Sequence, residues 1–438
     1  MPDMANPELP VPEGLVLRPF RGVRFSAGPP GGAKGVGETA KVTSPPYDLI
    51  SDDDVRELLA VHPNNVVRLI LPGADRHDYA RARDTLRDWL DAGVLALDGE
   101  PAVYVHEQAA GGHVLQRGLI GAVALADPEQ RIILPHEHVM PGPVADRLAL
   151  MRVTEANLEP IFLVYDGGGP ATHLVDDIAT TRAPLVQADT ADGLRHRLWA
   201  VTDPAELAVI AKDLRPRQAL IADGHHRYAT YRALQAERRA QAATPEEAAG
   251  PWDHGLALIV DASVYPPDLN PIHRVIPGLP LAQAVSRAKG ACQVHEYADL
   301  AAGLAALAAA DEPAYLLAGE GTACHLLTGP DPLQLRHAMP ATRSARWAGL
   351  NTSILAEFLL PKVWGLSDDE QAVRIVHHDA QAAVRQARDT GGTAVILNPL
   401  SLDQVLAVAA GGERVPRKST SFGPKPRTGL VMRTFDGG

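Results

Sequence analysis

One five-residue stretch, Asp223-Gly224-His225-His226-Arg227, gathers an acid, two histidines and a base directly after the apolar run at 219–222. Read as strand, turn and helix, it gives glycine the tight turn and leaves the first N–H groups of the new helix without partners inside it. An anion placed there gains from those donors, from the helix dipole and from Arg227. His225 and His226 could bond a phosphate or move a proton near neutral pH. The same residues also fit a plainer role, with Asp223 capping the helix and both histidines packing.

Three further constellations carry polar groups suited to chemistry. Leu134-Pro135-His136-Glu137-His138 sets a carboxylate between two histidines. In a regular strand Glu137 would face away from both, and the spacing is not the helical HExxH of zinc proteases. Glu137 is therefore a candidate general base, a candidate magnesium ligand, an orienter of His225 or Arg227, or a loop residue. Ser44-Pro45-Pro46-Tyr47-Asp48 places Asp48 where it could accept a proton, coordinate Mg²⁺ or cap a turn. Asn270-Pro271-Ile272-His273-Arg274 offers His273 and Arg274 to an anionic ligand, or forms an exposed basic turn.

The closing residues 413–436 hold six basic and two acidic side chains, a charge of +4 within a chain of −12. Lys418, Ser419, Thr420 and Lys425 combine charge with hydroxyl donors, a mixture suited to phosphate contacts. An extended arm laid on an acidic surface, or on a sister subunit in a homo-oligomer, accounts for them equally. No GxxxxGK[ST] or GxGxxG element occurs, and the glycine-rich stretch 27–38 with Lys34 has neither spacing.

The elements that must position these groups are readable in outline. Ser51 should cap a helix over 52–62, with three aspartates in its first turn. Residues 65–71 form a short β-like run, and 77–92 an amphipathic helix. Strands are expected at 102–108, 118–126, 131–139 and 161–165, the segment 144–160 reads as a helix, and 218–240 reads as strand, turn and helix. Residues 280–310 are mostly helical, and 313–329 form a hairpin. The mixture predicts an α+β fold of mixed sheets with helices. The expected divisions are a flexible tail at 1–14, an α+β domain at 15–190, a region at 191–290 carrying the DGHHR turn, and a C-terminal α/β region at 291–438.

The 438 residues are 46% hydrophobic and 21% charged, enough to bury a large core, so wholesale disorder is excluded. The acidic balance argues against a broad nucleic-acid or anionic-membrane surface. Two cysteines exclude a disulfide framework and a four-cysteine zinc site. With no signal-like start and no spanning apolar run, a cytoplasmic setting is expected.

Markers in order along the chain resemble those of the DUF1015 family: LRPFRGVRF at 17–25, SPPYDLIS at 44–51, RIILPHE at 131–137, EPIFLVYDG at 159–167, ADGHHRYATYRAL at 222–234, NPIHRV at 270–275 and RKSTSFGPKPRTGLV at 417–431. That family has no settled biochemical role. More distantly, the DGHHR element resembles the phosphate-contacting segment of the ParB/sulfiredoxin superfamily, which includes free-serine kinases. The resemblance implies that Gly224, His225, His226 and Arg227 line a phosphate site, with Asp223 at its edge. It also implies a carboxylate that activates a substrate hydroxyl, for which Asp48 and Glu137 are the candidates. His225 stands where sulfiredoxin carries its cysteine, which argues against sulfiredoxin chemistry. The expectation is a nucleotide-binding phosphotransferase or phosphohydrolase using Mg²⁺ and a nucleoside di- or triphosphate on a small hydroxyl-bearing metabolite. The alternative is a non-catalytic nucleotide or metabolite sensor or interaction protein.

Overall fold

The computed structural model describes residues 14–26, 38–73, 76–369 and 371–437. The tail up to residue 13 and the glycine-rich stretch 27–37, including Lys34, lie outside them. The fold is mixed α/β with several sheets, and the chain divides into two compact units. One comprises the described residues up to Pro135, Val139–Pro267 and the chain from Pro424 onward; the other comprises His136–His138 and Asp268–Gly423.

The first unit is organised by a nine-stranded sheet. Its order is Ile133–Leu134, Ala219–Asp223, Ile161–Tyr165, His254–Asp261, His113–Ala124, Val103–Ala110, Leu194–Val201 and Val186–Asp189, with Leu17–Arg18 paired on His113–Ala124. The pair Ile161–Tyr165 and His254–Asp261 runs parallel, and the first of these strands is buried along its whole length. That burial is why it reads as a continuous apolar run and not as an alternation. Tyr231, on the helix His225–Gln241, joins Ile161, Leu163, Ile221 and Ile259 in the core. The helix Pro141–Thr154 packs on His225–Gln241.

A second apolar cluster in this unit contains Val42, Ile70, Trp89 and Met432. Here the structure departs from the sequence expectation. The run at 65–71 contains a helical turn, Val67–Ile70, and no strand. Asn65 explains the turn: its Oδ1 accepts from the Val67 amide, and its Nδ2 donates to the carbonyls of Lys41 and Thr43. An Asn side chain satisfying the first amides favours a helix start over a ladder. By contrast, Ser51 caps Asp52–Val61 as expected, in a reciprocal box with Asp54.

The second unit has a six-stranded antiparallel sheet in the order Gln293–Tyr297, Cys324–Thr328, Tyr315–Ala318, Thr393–Leu397, Ile272–Ile276 and Arg374–His377. The hairpin expected at 313–329 is present. The stretch 280–310 is mostly helical, as two helices, Leu281–Ala288 and Leu300–Ala308, with the edge strand Gln293–Tyr297 between them. No helix among the described residues is long and apolar enough to cross a membrane.

Candidate functional site

The helix begins at His225, one residue after Gly224, whose φ of 92° is left-handed. A Cβ at position 224 would meet Ile161 and the Arg227 guanidinium at 3.0–3.2 Å, so glycine serves both the turn and the close approach. No side chain caps this helix start. Asp223, rather than capping, pairs with Arg227 one turn later and with Lys425 from the closing segment, at 2.6 Å. Lys425 also reaches Asp48, at 3.3 Å. One ammonium thus bridges two carboxylates from distant parts of the chain.

Pairing of the closing segment with the Ser44–Asp48 loop brings them together. Ser44 and Thr428 exchange backbone hydrogen bonds, and the Arg427 guanidinium donates to Thr43. Beneath the loop lies Glu159, 5% exposed, whose Oε1 accepts from the Tyr47 amide at 2.9 Å and the Thr428 hydroxyl at 3.0 Å. The Arg147 guanidinium lies 4.5 Å from the centre of the Tyr47 ring. Arg227 is 4% exposed and also donates to the Pro160 carbonyl.

The electrostatics follow from this geometry. Burial alone would raise the Asp48 carboxyl, but Lys425 and Arg227 outweigh it and hold the group below its ordinary value. Burial pushes Glu159 up, against the pull of Arg227 and Arg147. Lys425 is held above its ordinary value: desolvation works against its charge, but Asp223 and Asp48 prevail. Asp48 is thus an ionised, 41% exposed carboxylate at the rim, whereas the Glu159 carboxyl below it is raised by burial above its ordinary value.

The expected site residues divide between the units. Asp48, Asp223, Gly224, His225, His226, Arg227 and Lys425 belong to the first. His225 is buried, and His226 Nε2 accepts from the Met140 amide. Glu137, His273, Arg274, Lys418, Ser419 and Thr420 belong to the second. There Thr420 donates to Glu137 and lies 2.9 Å from His136 Nε2, while the buried Arg274 donates to the carbonyls of Ile272, Arg417 and Lys418. Among the described residues no group of three or more His, Cys, Asp or Glu could hold a metal ion. A magnesium ion at Asp48 would therefore draw mainly on phosphate oxygens and water.

Sequence reasoning gave no role to Glu159, Arg147 or Thr428. The available signal was a carboxylate opening an otherwise apolar run, Glu159 ahead of 161–165.

Residues 17–353 match the family model described as a protein of unknown function, DUF1015. The chain belongs to the DUF1015 family. No curated protein matches it. Solved structures similar to this DUF1015 chain include a free serine kinase in complex with AMP, 16% identical over 68% of this chain and 89% of that one, with a TM-score of 0.33. A conserved hypothetical protein from Pyrococcus furiosus is 14% identical over 68% and 90%, with a TM-score of 0.32. C-terminally truncated SbnI from Staphylococcus aureus is 11% identical over 72% and 81%, also with a TM-score of 0.32. Likenesses at this level carry no argument about the roles of residues in the DUF1015 chain.

Proposed function

We propose that the first unit is a nucleotide-dependent phosphotransferase acting on a small hydroxyl-bearing metabolite in the cytoplasm. The observation that carries this reading is Lys425 bridging Asp48 and Asp223, beside Arg227, at the uncapped helix start after Gly224. Phosphate oxygens would take the place of Asp223 and Asp48 around Lys425 and meet the helix start. Arg227 and His225 would border the phosphates. The likeness of the DGHHR turn to ParB/sulfiredoxin phosphate segments supports the same placement.

Asp48 would orient the acceptor hydroxyl, with Mg²⁺ supplying charge neutralisation between its carboxylate and the phosphates. The acceptor oxygen forms a bond to the terminal phosphorus, the bond from that phosphorus to the bridging oxygen breaks, and the hydroxyl proton passes to Asp48. Positioning and electrostatic stabilisation do most of the work in such transfers. Glu137, placed in the other unit, has no part in this reading.

Calorimetric titration with ADP, ATP and CTP in the presence of Mg²⁺ tests it. The expected result is saturable binding of at least one nucleotide, weakened about tenfold or more by Lys425→Met. No measurable binding of any of the three sinks the proposal.

One observation favours a second reading, a sensor without turnover: Lys425, Arg227 and Asp223 already satisfy one another. Asp48→Asn separates the two. In the sensor, nucleotide affinity survives and no phosphoryl transfer exists to lose; in the transferase, affinity survives and transfer collapses.

A further inference from the structure

The first unit contains a cavity of about 550 Å³, a volume within the usual range of small-molecule sites, ~300–1,000 Å³. Its walls come from the strand start around Val16–Phe20, the end of His113–Ala124, the far half of the helix His225–Gln241, the loop Ala249–Asp253 and the strand residue Arg433. One wall is apolar, with Val16, Pro19, Phe20, Ala124 and Leu125.

The charged lining is unbalanced. Arg18, Arg239 and Arg433 face one carboxylate, Asp253, which the Arg239 guanidinium engages at 2.6 Å. Arg18 is exposed, and no ion pair involves it among the described residues. Arg433 is 2% exposed, yet among the described residues it donates to neutral acceptors alone: Asn157 Oδ1 and the carbonyls of His254 and Pro251. Its Nε has no partner. A buried guanidinium without a carboxylate carries a desolvation cost that backbone carbonyls repay in part. Burial first, then Arg18 and Arg433, push the neighbouring His254 imidazole down to about 4.

We propose that this cavity binds a small organic anion, its charged group drawn to Arg18 under the field of Arg433 and its apolar body laid against Phe20 and Leu125. Arg18, exposed and with no ion pair among the described residues, makes the direct contact. Arg433, engaged with its carbonyls, contributes charge from the floor. An acidic head on a compact apolar group, carboxylate or phosphate ester, is the chemistry the lining fits. This site does not depend on the phosphotransferase reading, because it shares no residue with the Lys425 cluster.

Titration of the full chain with benzoate, phenyl phosphate and benzyl alcohol tests the proposal. At least one of the two anions should bind saturably at one site, and benzyl alcohol about tenfold or more weaker. Arg18→Glu and Ala249→Glu, each placed at an exposed lining position, should each weaken the anion by about tenfold or more while thermal unfolding shows a folded protein. Lys425→Met should leave this affinity unchanged. No binding of either anion, equal binding of benzyl alcohol, unchanged affinity in either folded lining variant, or loss of binding in Lys425→Met overturns it. The last outcome would place the anion at the helix start instead.

Discussion

The two ends of the helix His225–Gln241 present opposite solutions to buried charge. At its start, Arg227 and Lys425 are surrounded by Asp48, Asp223 and Glu159, and each cation has a carboxylate partner or neighbour. Toward its end, Arg239 has Asp253, but among the described residues Arg433 has neutral oxygens and the Phe435 ring, and neither Arg433 nor Arg18 has an ion pair. The difference teaches that a charge-rich motif need not be the place where charge is in excess. The paired end can bind an anion only by re-partnering; the other end already carries the surplus.

The largest effect should come from breaking the paired end. Arg227→Met leaves buried carboxylates unbalanced and is expected to cost about 3–5 kcal/mol in urea unfolding. Arg433→Met removes a cation that no carboxylate requires, leaves carbonyl acceptors unsatisfied, and should cost less, about 1–3 kcal/mol. Equal losses would end the contrast.

His254 supplies the next test. Its imidazole is held at about 4, below the ordinary 6.5, so the folded state stays neutral while the unfolded chain takes up a proton. The resulting stability is complete above pH 6.5 and is lost as pH falls toward 4, amounting to roughly 3 kcal/mol. His254→Gln should flatten that limb, although His106 and His196, held at about 3 and 4, contribute slopes of the same sign. Benzoate in the cavity should raise the His254 titration midpoint followed by NMR, and an unmoved midpoint would separate the imidazole from the proposed site.

Lys425→Met comes next, at about 1–2 kcal/mol, because solvent screens its pair with the 41% exposed Asp48, and Asp223, which loses the closer 2.6 Å pair, keeps Arg227 as its partner. Asp48, held below its ordinary 3.8, adds stability above that value that disappears as pH falls through its folded value. The variant should remove that acid-limb contribution, and a urea series below pH 5 would reveal it.

The smallest change is expected from Glu159→Gln, within about 1 kcal/mol at neutral pH and neutral or favourable in sign. Glutamine can still accept from Tyr47 and Thr428 through its carbonyl oxygen. Since the folded carboxyl is raised, the native state holds the extra proton above the ordinary value, and stability falls as pH rises there. A stability–pH curve with that decline intact in the variant would contradict the assignment.

Much of the paired end was legible in the chain. The DGHHR turn, the SPPYD loop and the basic closing segment were each readable from residue types, because turn glycines, prolines and charge runs act locally. Ser51 was legible for the same reason. Glu159, by contrast, becomes a site residue only because the Tyr47 amide and the Thr428 hydroxyl, 112 and 269 positions away, are folded onto it. The run at 65–71 was misread as β-like since a short apolar stretch has no period, and the contacts of Asn65 that decide it reach back to residues 41–43.

By itself, the sequence determined the mixed composition of elements, the strand–turn–helix around Gly224 and the presence of a basic closing segment in an acidic chain. Those properties reside in neighbouring residues, where φ/ψ preference, capping and periodicity operate. Only the tertiary structure decided that Lys425 joins Asp48 to Asp223, that Glu137 and Arg274 belong to a different unit, and that Arg433 is buried with no counter-ion among the described residues. Charge pairing and desolvation depend on distance in space, and linear order does not specify that distance.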